Sequence, residues 1–346
     1  MLRQRLREAQ AHFNQIKLIL SGCSRAREQV PPDGLANGES FGTVDISYWK
    51  AYDHCAAVVR CYATFERFIV NALDEWVRWS LAYHPGPFLR SESVRALYES
   101  GLAEIFRRRT TTRFASLDRA RLAQGVTLLY ADPLPANASL PLDPLFAAQP
   151  NLTLSHVSSL FNSLGLGEPQ KWVAECVALQ DLCAEEGFGI EEEIKQLVER
   201  RNEAAHGNGL PSEILGANEL LARVEFFSQL CICLCDFILV GICRAELGDQ
   251  LERGVLGKVT HVWPGPSAFE LTTTRATIYV DLPVAMFGRS MLVLSSIHSI
   301  QVEGSPTLGF TAGEGTALGI KMGYQPLEGM QMIDTRSVRG FDALTA

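Results

Sequence analysis

The sequence predicts an α+β fold in which an N-terminal all-α helical bundle precedes a small C-terminal all-β domain. Up to about residue 247, apolar side chains recur at the three- and four-residue spacing of amphipathic helices. After Gly248 the composition shifts to Thr, Val, Ile, Gly and Ser, and residues 275–282 alternate apolar with polar side chains, as a half-buried strand does. We therefore predict a helical domain over residues 1–250 and a β domain of unknown role over residues 251–346.

Breaks in the apolar periodicity divide the first 250 residues into separate helices. Proline-containing stretches predict loops at 23–45 and 131–152, and His84-Pro-Gly-Pro ends a long helix that begins near residue 46. The predicted helices cover residues 2–22, 46–82, 91–109, 116–130, 152–164, 169–186, 190–207 and 212–247.

The β domain consists of short apolar runs separated by glycine and proline turns. Residues 291–294 and 298–303 join residues 275–282 as the clearest strands, and the region 258–324 has room for five or six. A barrel and an open sandwich both fit that number of strands, and the pattern does not choose between them.

The charge balance argues against a protein that coats DNA or RNA. The formal net charge is −8, whereas general nucleic-acid binders carry a basic patch and a high pI. The nearest basic run is Arg107, Arg108 and Arg109 with Arg113, which we interpret as a solvated helix end. A small, local phosphate site remains compatible with this composition.

The cysteines and the most apolar segment predict a cytoplasmic protein without a metal site. None of the nine cysteines forms a CxxC pair, so we expect small core side chains in a reducing compartment. Residues 226–243 are apolar but contain Ser228, Gln229 and Asp236, which favours a buried bundle helix over a membrane span. The sequence has no dinucleotide or P-loop motif, and we expect no cofactor.

The most informative stretch is Arg200-Arg-Asn-Glu-Ala-Ala-His-Gly at the end of the helix predicted at 190–207. Arg201 falls near the middle of the apolar stripe of that helix, where a cation must be paired, face a partner chain or bind an anion. His206 closes the segment, one turn after Asn202. A guanidinium and an imidazole at a helix end suit phosphate chemistry.

Arg201-Asn-Glu-Ala-Ala-His206 resembles the Rx4–6H signature of HEPN-superfamily ribonucleases, in particular the RiboL-PSP and MAE-type prokaryotic branches. Residues 59–69, which include Phe65-Glu66, resemble the aromatic-Glu segment of their first long helix. Residues 151–166 resemble the segment that precedes their motif helix. The resemblance covers about residues 46–245 and leaves the β domain out.

This resemblance implies a helical bundle that dimerises, with one composite site where the motif helices of two protomers meet. Active members cut RNA without metal, which implies an endoribonuclease that leaves 2′,3′-cyclic phosphate ends. His206 would act as general acid or base, and Arg201 would hold the phosphate. Asn202 would bind a phosphate oxygen or orient His206, and Glu66 would orient Arg201 or His206. The implied partners are an RNA substrate, a second copy of the chain, and an antitoxin or defence-complex protein; no membrane is implied.

Each assignment has a simpler structural alternative. Arg201 also fits a cation paired with Glu66 or another carboxylate, and Arg200 also fits the loose spacing to His206. His206 before Gly207 fits an ordinary helix C-terminus, and Glu66 fits a solvated helix face. The chain as a whole also fits a non-catalytic module for dimerisation or regulation, or a subunit of a multi-protein defence complex.

Overall fold

The computed structural model describes residues 1–29, 46–108, 110–111, 114–133, 140–147, 151–206, 211–247, 255–265, 267–288 and 290–345, without the side chain of His206. Residues 1–247 form a helical region, and an all-β domain follows it. The predicted α+β fold is therefore confirmed. By their contacts the residues fall into two compact units, one comprising 4–170 and 178–232 and the other 1–3, 171–177 and 233–346. A domain boundary at residue 250 stays a prediction.

Ten helices are described in the helical region, and an eleventh lies near the C-terminus. They are α1 (Leu2–Glu28), α2 (Ile46–Tyr83), α3 (Pro85–Arg90), α4 (Glu92–Arg107), α5 (Arg119–Leu129), α6 (Leu154–Ser163), α7 (Gln170–Ala174), α8 (Val177–Glu186), α9 (Ile190–His206), α10 (Ala217–Leu247) and α11 (Phe341–Thr345).

Local capping explains where two of these helices begin. The side chain of Asp118 accepts hydrogen bonds from the amides of Ala120 and Arg121, and that of Thr153 accepts from the amide of His156. Each side chain satisfies donors that the first turn of a helix leaves free.

The structure corrects three of the predicted boundaries. α1 continues to Glu28, so the expected loop at 23–45 begins later, and residues 30–45 lie outside the described part. The single helix expected at 169–186 is two helices, α7 and α8. A 3-10 turn at Asp143–Phe146 occupies part of the loop expected at 131–152, where its side chains pack into the core.

Large aromatic side chains fill the core of the first unit. Phe65 of α2 lies against Phe227 of α10, with ring centroids 5.4 Å apart, and Phe226 makes an edge contact with Phe227. The indole nitrogen of Trp76 donates a hydrogen bond of 2.9 Å to the carbonyl of Leu164. This bond satisfies the polar atom of a buried ring, as interiors require.

The most apolar helix, α10, is long and apolar enough to cross a membrane by length and composition, but 83% of its most apolar window is buried in the protein. That burial is typical of the core helix of a soluble protein. Asp236 lies within the apolar stretch of α10, and two partners compensate its buried carboxylate. It accepts a 3.2 Å hydrogen bond from the amide of Leu292 and pairs with Arg3 at 3.3 Å. Burial raises the pKa of Asp236 to about 6.

The C-terminal domain is a six-stranded antiparallel barrel, so the choice between barrel and sandwich is settled. The nine described strands are β1 (Val255–Val262), β2 (Ala268–Thr273), β3 (Ala276–Tyr279), β4 (Pro283–Gly288), β5 (Met291–Val302), β6 (Ser305–Thr307), β7 (Gly309–Ala312), β8 (Ala317–Met322) and β9 (Gln331–Asp334). The ring runs β4-β9-β1-β2-β8-β5 and closes through the β4–β5 pairing. Outside the ring, β6 pairs antiparallel with the end of β5, and β3 pairs with β7.

The domain therefore contains more strands than the five or six expected, since β3, β6 and β7 lie outside the six-stranded ring, and it extends beyond residues 258–324 at both ends. Its interior is closed by apolar side chains from every strand of the ring, among them Val259, Phe269, Met286, Ile297, Ile320 and Met332. Bulges interrupt the register in β1 and β5, which bends the strands as closure requires.

Candidate functional site

The motif helix α9 packs on α2 within the first unit. Three glutamates stand in its first turn, where negative charge complements the helix dipole. Ile194, Leu197 and Val198 form its buried stripe. This packing places Arg201 of α9 beside Tyr62 of α2.

Arg201 lies on the aromatic face of Tyr62. Its guanidinium carbon is 4.9 Å from the ring centroid, and Nη1 donates a hydrogen bond of 3.0 Å to the side-chain oxygen of Asn202. Among the described residues, no carboxylate lies within 4.0 Å of this guanidinium. Arg201 is half-buried, so its charge is oriented by Tyr62 and Asn202 and is open to solvent on one side.

Tyr62 is a fixed platform for this arginine. It is only 2% exposed, and its hydroxyl accepts a 3.1 Å hydrogen bond from the amide of Leu152. Burial raises the pKa of Tyr62, so the phenol stays neutral. Tyr62, Leu152 and Arg201 come from the three separate segments that resemble the HEPN family in sequence, and the fold brings these segments together at one ring.

Glu66 follows Tyr62 by one turn of α2 and is half-exposed. In the described part of the chain it forms no ion pair with Arg201. It lies close enough to Tyr62 to add to the rise in the pKa of that phenol, while Arg201 opposes the rise. A direct Glu66–Arg201 pair, which was one of the alternatives, is therefore not observed.

Arg200 has the opposite environment. The pattern placed it outside the apolar stripe, yet its side chain is only 12% exposed because it turns toward Glu193 and Glu213. Its nitrogens lie 3.9 Å from Glu193 and 3.1 Å from Glu213. This compensated cation is the structural arginine of the pair, and Arg201 is the one with an uncompensated charge among described residues.

Glu193 is the centre of a buried ionic cluster that sequence reasoning missed. Its side chain is 1% exposed and lies 3.2 Å from Nε of Arg223, which in turn packs 4.0 Å over the ring of Phe188. Burial raises the pKa of Glu193 to about 7, and Arg223 and Arg200 oppose that rise. The available signal was the seven-residue spacing from Glu193 to Arg200, which puts both on one helix face.

The segment that follows the motif helix is held by side chains. Glu203 accepts a 2.7 Å hydrogen bond from the amide of Ser212, and Nδ1 of His54 accepts a 3.1 Å bond from the amide of Leu215. Glu219 accepts a 2.7 Å bond from the amide of Gly216. His54, on α2, is 1% exposed and was not among the predicted site residues.

His206 is the last residue of α9. Its side chain and the following Gly207 lie outside the described atoms. Its backbone position is five residues after Arg201, which corresponds to a rotation of about 140° and a rise of about 7.5 Å along an ideal helix. Asn202 precedes His206 by one turn, as the sequence indicated, and in the structure its oxygen accepts from Arg201.

The remaining polar candidates are accounted for where the structure describes them. Arg107 and Arg108 both pair with Glu104 at the exposed end of α4, whereas Arg109 and Arg113 lie outside the described residues. In the described part of the chain, no three His, Cys, Asp or Glu side chains group as metal ligands do. The four cysteines of α10 are buried and form no disulfide among the described residues.

The family model described as RiboL-PSP-HEPN matches residues 3–240. No curated protein matches the chain. The matched range confirms the resemblance and extends it over α1, which the sequence motifs alone had not covered. It also contains Arg201, His206, Tyr62 and Leu152, and it ends before the barrel. The chain therefore belongs to the RiboL-PSP-HEPN family of the HEPN superfamily.

Proposed function

We propose that this protein is a metal-independent endoribonuclease whose Rx4H motif, Arg201 to His206, forms a composite site at a homodimer interface. Membership of a HEPN family suggests a ribonuclease-type function. One observation carries the assignment to Arg201: this half-buried guanidinium rests on Tyr62 with no carboxylate beside it among the described residues. A buried or half-buried cation without a counter-ion favours an anionic ligand.

The chemistry needs only groups that the chain and the RNA supply. The ribose 2′-hydroxyl attacks the adjacent phosphorus and loses its proton to a general base, while the 5′-oxygen leaves and gains a proton from a general acid. His206 performs one of these proton transfers, since imidazole titrates near neutral pH. Arg201 stabilises the charge that builds on the phosphoryl oxygens. The products are a 2′,3′-cyclic phosphate and a 5′-hydroxyl.

A dimer explains how two residues on different sides of one helix act on one phosphate. Arg201 and His206 lie about 140° apart around α9. In a two-fold arrangement, Arg201 of one protomer faces His206 of its partner across the axis. Asn202 keeps the guanidinium of Arg201 oriented through the observed 3.0 Å hydrogen bond. Because Glu66 does not pair with Arg201, we assign it the role of positioning His206.

The biological setting we propose is a cytoplasmic toxin or anti-phage defence effector. A net charge of −8 keeps such an enzyme off bulk RNA, which fits a nuclease restricted to one target or to one activating signal. The barrel would then recognise the target or a regulatory partner, such as an antitoxin. A purely regulatory HEPN module would show no cleavage in the following assay.

The test is cleavage of RNA by the purified full chain in excess EDTA. The wild type should cut, and His206→Ala and Arg201→Ala should each reduce the rate by about 10²-fold or more, as expected for a proton-transfer group and a charge-stabilising donor. Arg107→Ala is the matched control, because among the described residues this exposed arginine pairs only with Glu104 at a helix end. It should cut as the wild type does.

The products provide a second criterion. An RNA with a single 2′-deoxy substitution at the cleaved position should resist, because the nucleophile is missing. The 3′ ends should carry a cyclic phosphate. Cleavage that requires added metal, cleavage of the 2′-deoxy substrate, or full activity in both Arg201→Ala and His206→Ala would contradict the proposal.

A further inference from the structure

The connection from α9 to α10 is fixed by hydrogen bonds to side chains rather than by an element of its own. From Pro211 to Gly216 the chain forms no described helix or strand. Three of its amides nevertheless have acceptors: Ser212 on Glu203, Leu215 on His54 and Gly216 on Glu219. Glu213 of the same segment pairs with Arg200 at 3.1 Å.

Two of these contacts tie the segment directly to the last turns of α9. Glu203 lies three residues before His206 and reaches nine residues ahead to the amide of Ser212. Arg200 lies six residues before His206 and reaches Glu213. The C-terminal turns of helices fray because their last carbonyls have no partners within the helix. Contacts of this kind restrict that fraying.

His54 ties the segment to α2, and its hydrogen bond defines its protonation state. A backbone amide only donates, so Nδ1 of His54 must be the acceptor and the ring must be neutral with its proton on Nε2. That Nε2 is buried without a hydrogen-bond partner among the described atoms. A proton on Nδ1 would place two donors against each other and break the bond to Leu215.

We propose that His54 and Glu203, supported by Arg200, are positioning residues that hold the segment 211–216 and thereby fix the end of α9 where His206 stands. This inference rests on the proposed ribonuclease function. A catalytic group must be held within a fraction of an ångström, and a displacement of about 1 Å costs about 10²-fold in rate. His54 itself is 1% exposed on α2, so it offers a substrate almost no surface and acts through the segment that it holds.

The same geometry makes the tether sensitive to acid. Three charged groups face His54: Arg200 and Glu203 from α9, and Glu213 from the connection. Burial lowers the pKa of His54 first of all, and Arg200 adds to this, while Glu203 and Glu213 oppose it. The neutral ring therefore persists below the usual histidine pKa of about 6.5. Further acidification protonates Nδ1 and releases Leu215.

The sign for stability follows from the lowered pKa. Above about pH 6.5 the ring is neutral in both the folded and the unfolded chain, so it adds no pH dependence. Below that value the unfolded chain binds a proton that the folded chain does not, and the stability falls as the pH falls toward the folded-state pKa of His54.

The test compares His54→Asn with His54→Leu, and Glu203→Gln with Glu203→Ala, in the full chain. The amide oxygen of asparagine occupies the position of Nδ1 but does not titrate, so it retains the acceptor. Glutamine likewise keeps an acceptor for Ser212. Protection of the Leu215 and Ser212 amides against hydrogen exchange is measured at pH 8 and then at successively lower pH values below 6.5, and kcat and KM for RNA cleavage are measured at pH 8.

At pH 8 we expect His54→Leu to lose protection of Leu215 and to lower kcat about tenfold or more with KM nearly unchanged, and His54→Asn to rescue both. Glu203→Ala should lose protection of Ser212, and Glu203→Gln should rescue it. As the pH is lowered below 6.5, the wild type should lose protection at Leu215 at a pH where His54→Asn still keeps it.

The proposal is overturned if Leu215 stays protected in His54→Leu, or if protection is lost without any fall in kcat. If His54→Leu does not fold, two other comparisons decide. They are protection of Ser212 and kcat in Glu203→Ala against Glu203→Gln, and the pH dependence of Leu215 protection in the wild type against His54→Asn. If the wild type cuts no RNA, the ribonuclease proposal fails and so does any positioning of a catalytic group. The amide protection then reports only whether the tether exists.

Discussion

Two adjacent arginines on α9 have opposite electrostatic environments. The charge of Arg200 is compensated by Glu193 and Glu213. Arg201 instead contacts the ring of Tyr62 and the side chain of Asn202, and no carboxylate among the described residues lies beside it. Neighbouring positions on a helix differ by about 100°, so one side chain turns to the buried cluster and the other to Tyr62. This difference in surroundings, rather than the motif spacing, distinguishes the proposed phosphate ligand from the structural cation.

The aromatic support of Arg201 leads to a prediction at the residue scale. Tyr62→Phe keeps the ring and loses only the hydroxyl that accepts from Leu152, whereas Tyr62→Leu removes the ring. A cation–π contact at a partly desolvated site contributes about 1 kcal/mol, which corresponds to about fivefold. We expect Tyr62→Leu to cut RNA about fivefold more slowly than Tyr62→Phe.

The comparison is made on kcat/KM, with thermal unfolding recorded to confirm that both variants are folded under assay conditions. Equal rates for the two variants would show that the ring does not support the guanidinium. Both variants lose the hydrogen bond from the amide of Leu152, so the comparison with Tyr62→Phe isolates the effect of the ring.

Sequence analysis can single out a candidate residue when the feature that marks it lies in the neighbouring sequence. Arg201 interrupts an apolar stripe, and His206 stands at a helix end. His54 and Arg223 carry no such signal, because their partners Leu215 and Glu193 lie in other segments of the chain. Glu193 looks like one of three solvated first-turn acids, and only the approach of Arg223 from α10 shows that it is buried.

At the scale of elements, the tight approach of α4 to the 3-10 turn Asp143–Phe146 depends on one glycine. A Cβ built on Gly101 would lie 1.7 Å from the backbone carbonyl oxygen of Pro144. Gly22 is also helical, in α1, but a Cβ there meets nothing within 4 Å. The two glycines therefore form a matched pair for substitution by alanine.

We expect Gly101→Ala to lower the free energy of unfolding by about 1–3 kcal/mol, because the backbone of the turn must move. Gly22→Ala should raise it by about 0.5–1 kcal/mol, since alanine is the better helix former. Urea unfolding followed by circular dichroism measures both. Stabilisation by Gly101→Ala would mean that α4 and the turn are not packed as described.

Elements with strong local signals were predicted well, and those defined by distant pairing were not. The long helix α2 was expected at 46–82 and is Ile46–Tyr83, because a proline-rich stop follows a continuous apolar face. The division between α7 and α8 was missed because both segments have helical composition. In the structure, Trp172 of α7 donates a hydrogen bond to the carbonyl of Cys233 in α10, a contact that local composition does not reveal. Closure of the barrel depends on β4 pairing with β5 and β9, which alternation within a strand does not reveal.

At the scale of the whole molecule, we predict that activity belongs to a dimer and not to the single chain. The helical region carries the family match, and the motif helix supplies both proposed groups. The net charge of −8 provides little general attraction for RNA. If the proposed function holds, efficient cutting has to come from the paired sites of the dimer and from a target that the barrel or a partner selects.

The most direct test of this claim is complementation between two inactive variants, Arg201→Ala and His206→Ala, co-expressed with different tags and purified as the mixed dimer. In EDTA each variant alone should be inactive. A two-fold dimer contains two Arg201–His206 pairs, one on each side of the axis. The mixed dimer retains one of them, with His206 from the first chain and Arg201 from the second, so it should recover about half of the wild-type rate per dimer. A mixed dimer as inactive as its parents would contradict the composite site, and a monomer that cuts RNA would contradict it as well.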